Sequence, residues 1–278
     1  MYIYALMQAR FLNYSVLAVL ILILATSCSK FRRIQKSEDW RVKYEGGLNY
    51  YAKKDYYRAA LLFEEIRPIV RGLPEGEKVE FYLAYCQFYE KTYLLASNQF
   101  KTFYETYGRS QLVQEAYFMY AYSLYISSPA PSLDLTSGIE AMNAMQNFIN
   151  QYPDSQYRER ASEAIVVSQN KLERKGYENA KHYLKLRQYK AAVISFDNFK
   201  KNFPDSNFLE ELAYLKVLAQ YKLANQSFLS LQHDRYTSVV QYYQELVDNF
   251  PNSKYLKDAE RLYSESITKV NKSKTNNS

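Results

Sequence analysis

Two histidines, two cysteines and a few adjacent carboxylates are all that the chain offers toward covalent or metal chemistry. His182 and His233 stand in helical or helix-edge stretches, with no HExxH, no G-x-S-x-G and no glycine-rich phosphate loop around them. A metal site needs His, Cys or carboxylates converging on one point, and no such spacing occurs. Glu64-Glu65 and Glu210-Glu211 are acidic pairs, but neighbours on a helix point apart, so they read as solvated faces. The residues therefore point to no catalytic group, no metal and no cofactor, and the expectation is that the protein is not an enzyme.

Cys28 differs because of what precedes it. Arg10 is the only charge before an apolar run from Val16 to Leu24, which is followed by Ala25-Thr26-Ser27-Cys28. That run is too short to span a bilayer, which takes about 20 residues, but it suits the core of a secretory signal. The small residues ahead of Cys28 resemble a bacterial lipoprotein cleavage box, although Ala25 stands where Leu is commonest. Residues 1–27 then form a signal peptide, and Cys28 becomes the acylated first residue. An ordinary signal peptide or a membrane anchor is the alternative, and either also places the chain outside the cytoplasm. With Cys28 acylated, Cys86 has no partner for a disulfide and reads as a small buried apolar residue.

Charge adds a second constraint. The formal charge is +7, and Arg10 leaves with the signal. Ser29 to Lys36 carries Lys30, Arg32, Arg33 and Lys36 with no acid, which beside a lipid anchor reads either as a tether close to anionic headgroups or as a solvated linker. Export removes the opportunity for nucleic-acid binding.

The elements that carry these residues follow from a repeated corner. Asn202-Phe203-Pro204-Asp205-Ser206-Asn207-Phe208 returns as Gln151 to Tyr157 and Asn249 to Tyr255, and as the variant Thr106-Tyr107-Gly108-Arg109-Ser110. Proline disfavours helix in the residue before it, and the serine oxygen can cap the next helix. Into each corner runs a ladder spaced by three, four, three and four residues, which is one face of an α-helix. The ladders are Tyr56 to Val70, Tyr93 to Tyr107, Gly138 to Tyr152, Tyr189 to Phe203 and Tyr236 to Phe250. Nine residues ahead of four of them lies a small residue: Gly47, Ala84, Ala180 and Ser227. The whole resembles the tetratricopeptide pattern of G-x2-Y, then A-x3-F, then Pro.

The expected fold is all-α, a tetratricopeptide-like helical-hairpin solenoid of about five repeats with a C-terminal capping helix. The expected domains are a signal peptide over 1–27, a lipid-anchored linker over 28–39, a superhelix over 40–270 and a disordered tail over 271–278. Within the superhelix the repeats fall at about 41–71, 76–108, 111–153, 158–204 and 207–251, and the cap at 254–270. The third repeat carries a longer loop from Ser127 to Thr136, and Arg158 to Lys185 is lengthened. With 30 Tyr, 15 Phe and only 7 Gly and 7 Pro, the composition suits stacked helices, in which Tyr buries its ring and keeps its hydroxyl wet.

A solenoid without catalytic residues works by gripping a peptide or a partner domain. Signal peptide, Cys28, five repeats with Y/F-P-[DN]-S corners, Leu133-Asp134-Leu135-Thr136, and the run Tyr177-Glu178-Asn179-Ala180 on to Phe203-Pro204-Asp205-Ser206 together resemble the BamD family. These are tetratricopeptide lipoproteins of the β-barrel assembly machinery. The resemblance covers about Cys28 to Tyr263, with a degenerate first corner at Arg71-Gly72-Leu73-Pro74 and a longer, charged C-terminal stretch.

It implies a lipid-anchored scaffold on the periplasmic side of the outer membrane. Its partners would be unfolded outer-membrane β-barrel proteins, a BamA-like insertase and other lipoprotein subunits. By the resemblance, Lys43 to Tyr107 would face the client and Arg158 to Phe250 would dock on the insertase. Tyr44, Tyr50, Tyr51, Tyr82, Tyr85 and Tyr89 are the client-binding candidates, with ordinary packing as the alternative for each. Arg187 and Lys190, at the fourth hairpin turn, are the docking candidates. Another lipid-anchored repeat adaptor for envelope or pilus assembly is the alternative function.

Overall fold

The computed structural model describes residues 30–275, and every regular element among them is helical. A short helix over residues 30–35, α1, precedes α2 (Trp40–Ala52), α3 (Tyr56–Ile66), α4 (Pro74–Tyr89), α5 (Tyr93–Thr106) and α6 (Val113–Ser127). The chain continues through α7 (Thr136–Gln151), α8 (Arg158–Lys185), α9 (Tyr189–Asn202), α10 (Leu209–Asn225), α11 (Leu229–Asn249) and α12 (Leu256–Thr275).

Local chemistry sets these boundaries. Asp39 starts α2 by accepting the Arg41 N–H at 2.9 Å, and Asp55 starts α3 by accepting that of Arg58 at 3.3 Å. Pro74 opens α4, where its missing N–H costs nothing. The helices α5, α9 and α11 end on Tyr107, Phe203 and Phe250, which leave helical geometry at ψ of 49°, 68° and 64°. Pro204 and Pro251 impose this on the last two. Beyond each corner the serine oxygen accepts the N–H two residues on, as in Phe208 N–H to Ser206 Oγ at 3.0 Å. The serine thus holds the corner, and the helix begins three residues later.

Each ladder is a core stripe. Ala59, Phe63, Ile66 and Val70 are buried, as are Ala96, Phe100 and Phe103, Ala141, Met145 and Phe148, Ala192, Phe196 and Phe199, and Val239 and Leu246. Gly47 shows why a small residue stands ahead of the ladder. A Cβ there would lie 2.5 Å from the Phe63 ring, so α2 and α3 come this close only with glycine between them.

The chain forms two compact units that divide within α8, between Ser168 and Gln169, and the loop segment Ala130–Leu135 belongs to the second. In the first, α2 to α7 pack in sequence order, and the start of α8 adds Ala161 and Ala164 to the core of Phe100, Phe118 and Phe148. In the second, Tyr177 and Ala180 of α8 join Phe196, Phe199 and Leu212, and α9 to α12 again pack in order. This is tetratricopeptide-like hairpin packing in both, and α12 closes the second unit with Ala259 and Leu262 against Val239 and Leu246.

Three places differ from expectation. The linker over 28–39 contains α1, held down because Phe31 is only 9% exposed and meets Tyr50 edge-on at 5.5 Å. The helical cap runs on to Thr275 where a tail was expected from 271. The acidic pairs are not simply solvated: Glu65 accepts Gln35 and Lys43, Glu210 accepts Ser253 Oγ at 2.7 Å, and Glu211 accepts Tyr177 and Lys181. A neighbouring helix reaches Glu65 and Glu211, and the corner before α12 reaches Glu210. The signal peptide and Cys28 lie outside the described residues.

Candidate partner-binding surfaces

The tyrosines of α2 and α4 divide into three groups. Tyr44 is buried beside Ala59 and Phe63, and burial, followed by the charges of Glu45 and Glu75, raises its phenol pKa. Tyr50 packs on Phe31 and under the Arg58 guanidinium, 5.8 Å from its ring centre. Both share a core cluster with Tyr51 and Tyr82, but among the described residues neither makes a ring contact with the other candidate tyrosines.

Tyr51, Tyr82, Tyr85 and Tyr89 do come together, and Tyr56 of the first ladder joins them. Tyr51 meets Tyr82 at 4.8 Å and Tyr56 at 5.5 Å, while Tyr56 stacks on Tyr89 at 4.4 Å and Tyr89 on Tyr85 at 5.8 Å. These separations are those of favourable aromatic pairs. Burial raises the Tyr51 and Tyr85 phenols first of all, and Tyr85 is raised further by its hydrogen bond to Glu115. Tyr89 remains 45% exposed at the edge of the stack. Such an array can stack an incoming aromatic side chain and present hydroxyls to backbone groups. Beneath it, Cys86 is buried, which pushes its thiol up to about 12, so it is an inert core residue.

In the second unit a groove of about 390 Å³ lies between α9, α10 and α11, with Phe196, Pro204, Leu212 and Phe250 among its walls. Lys216 lies within it, 13% exposed, 2.8 Å from Asp197 and 3.3 Å from Glu245, with its ammonium 3.8 Å from the centre of the Tyr242 ring. Burial alone would lower its pKa, but the hydrogen bond to Asp197 and the two carboxylates raise it. The sequence reading missed Lys216. No sequence signal marked it, because Asp197 and Glu245 reach it from the flanking helices α9 and α11.

Arg187 and Lys190 line none of this. Both are exposed, Arg187 in the tight turn before α9 with φ of 60° and Lys190 at the start of that helix. The same left-handed position is taken by Lys54 and Lys91, each two residues ahead of its ladder. His182 is exposed on α8, His233 lies on α11, and no group of metal ligands occurs among the described residues.

The profile of the YfiO family, outer membrane lipoproteins, matches residues 37–225 and 188–269. The chain belongs to this family. Two relatives extend the YfiO match. The outer membrane protein assembly factor BamD of Rickettsia prowazekii is 26% identical over 222 residues, covering 79% of this chain and 83% of that protein. A protein of Aquifex aeolicus, provisionally named an outer membrane protein assembly factor BamD, is 30% identical over 207 residues, covering 74% and 67%. The YfiO match takes in α2 to α11 and most of α12, so both the tyrosine array and the Lys216 groove lie on the part of the chain that carries the family likeness.

Proposed function

We propose that this chain is an outer membrane protein assembly factor, a lipoprotein scaffold anchored through Cys28 on the periplasmic side of the outer membrane. Its first unit holds unfolded outer-membrane β-barrel proteins, and its second docks on a BamA-type insertase. The observation that carries the reading is the connected array of Tyr51, Tyr56, Tyr82, Tyr85 and Tyr89 on a chain of the YfiO family.

An unfolded barrel protein offers extended strands whose alternate side chains are aromatic or aliphatic. Rings that each contribute about 0.5–1.5 kcal/mol by stacking hold such a segment weakly at several points. Weak multipoint binding suits a client that must be passed on. Docking in the second unit falls to Arg187 and Lys190 at the fourth hairpin turn, which present exposed cations to an acidic partner surface.

Affinity purification of the tagged full-length chain from detergent-solubilised envelopes, with mass spectrometry and a Cys28→Ala control, tests this. A BamA-type insertase in near-stoichiometric amount with the wild type is the expected result. Its absence beside some other dominant partner would leave a lipid-anchored adaptor for envelope or pilus assembly. The joint charge reversal Arg187→Glu and Lys190→Glu is expected to reduce insertase recovery, and unchanged recovery would remove both from the docking surface.

A further inference from the structure

The helix α1 is not a loose tether. Phe31 packs on Tyr50, Gln35 donates to Glu65 at 2.8 Å, and Ile34 sits so close over Gly46 that a Cβ there would meet Ile34 Cγ2 at 2.7 Å. The position of Lys30 is therefore tied to that of α2 and α3. Cys28 precedes Lys30 by two residues, which span at most about 7 Å of chain. An acyl group on Cys28 then brings whatever surrounds Lys30 to the membrane surface.

What surrounds Lys30 is a groove of about 640 Å³ between α1, α2 and the turn into α3. Four cations line it, Lys30, Arg41, Lys53 and Arg58, against two carboxylates, Glu45 and Asp55. Asp55 is already held by Arg58 at 3.0 Å. Among the described residues, Lys30, Arg41 and Lys53 have no ion-pair partner. Ile34, Val42 and the Tyr50 ring give the groove an apolar side as well. Cations converging beside an apolar wall suit a phosphodiester at a hydrocarbon boundary.

We propose that this groove binds the phosphate of an anionic phospholipid headgroup, in the membrane that holds the anchor. The proposal rests on the acylation of Cys28 put forward above. It goes further in giving the first hairpin a defined face toward the bilayer, with the tyrosine array of α2 and α4 carried on the same docked hairpins.

Hydrogen exchange on the lipidated full chain in phosphatidylcholine vesicles, with and without phosphatidylglycerol, tests it. Phosphatidylglycerol is expected to slow exchange over residues 30–36 and 50–58 roughly five- to thirtyfold, as for one or two cations engaged at an anionic surface. The pair Lys30→Glu and Lys53→Glu should abolish the slowing, while Lys257→Glu with Lys269→Glu on α12 should leave it intact. Equal exchange in both vesicles would overturn the proposal, and so would equal loss in the α12 pair, which would show attraction to overall charge. Inorganic phosphate added to the chain in detergent is expected to protect nothing. Protection there equal to that from vesicles would make the ligand free phosphate and overturn the lipid assignment. The mass of the N-terminal peptide reports acylation separately. If Cys28 proves unmodified, the anchor reading fails by itself, and flotation of that chain with the two vesicle types decides the groove: binding promoted by phosphatidylglycerol and lost in the Lys30, Lys53 pair supports it, and indifference to lipid charge overturns it.

Discussion

A methyl group at position 47 has nowhere to go. In most helix interiors Gly→Ala stabilises by about 1 kcal/mol through backbone entropy. Here the new carbon would lie 2.5–2.9 Å from atoms of the fully buried Phe63 ring, and overpacking of a tight core costs about 1–3 kcal/mol. Gly47→Ala is expected to lose on the order of 1 kcal/mol net, read by urea unfolding. The opposite sign is expected at Lys54 and Lys91, whose φ of 62° disfavours any side chain with a Cβ. Left-handed geometry costs an L-residue about 1–2 kcal/mol, and glycine returns about half of that as chain entropy, so Lys91→Gly should stabilise by about 0.5 kcal/mol. The spacing ahead of the ladder marked Gly47 as small. It did not mark the left-handed turns, because lysine carries no sequence signal for positive φ.

Between elements, the corner serines do more than their motif announces. Ser110 donates to Glu77, Ser206 to Glu173 and Ser253 to Glu210, so three of the four corners are clipped to an earlier helix by a charge-assisted hydrogen bond. Ser206→Ala leaves both the Phe208 N–H and Glu173 without this partner, and should cost about 1–2 kcal/mol in chemical denaturation. The corner was legible as Pro-x-Ser. Its glutamate was not, since it stands 33 residues earlier for Ser110 and Ser206 and 43 for Ser253. A second clip joins α8 to α10 through Tyr177, Lys181 and Glu211. Burial opposes the charge on Glu211, but the hydrogen bonds from Lys181 and Tyr177 hold its pKa below the ordinary 4.5. Burial likewise opposes Lys181, and its bonds to Glu211 and Tyr177 raise it above 10.5. The Glu211 contribution is thus complete above pH 4.5 and is lost as pH falls through the lower folded value. That of Lys181 is complete below pH 10.5 and is lost as pH rises through the higher one. Thermal unfolding against pH should fall at both ends, and Glu211→Gln should flatten the acid side.

For the molecule as a whole, hairpins that pack on their sequence neighbours make stability a local property. Phe196→Ala removes a buried aromatic from the core shared by α8, α9 and α10, at a cost of about 3–5 kcal/mol. Native-state hydrogen exchange should accelerate most in α9 and α10 and least in α2 to α4, whereas uniform acceleration would mean that the chain unfolds as one. Periodicity alone determined that the protein is helical and which face of each ladder helix enters the core, because ladder spacing and proline corners act through short-range sterics and burial of a single helix face; the core residues of α4, α6 and α10, such as Leu83, Phe118 and Val217, were not marked by it. Tertiary structure decided the rest. Which tyrosines stack depended on how α2, α3 and α4 pack, and Tyr44 and Tyr50 are as tyrosine-like in sequence as Tyr51 and Tyr89. The pairing of Lys216 with Asp197 and Glu245, and the docking of α1, join side chains that chain connectivity leaves far apart, so only packing could bring them within hydrogen-bond reach.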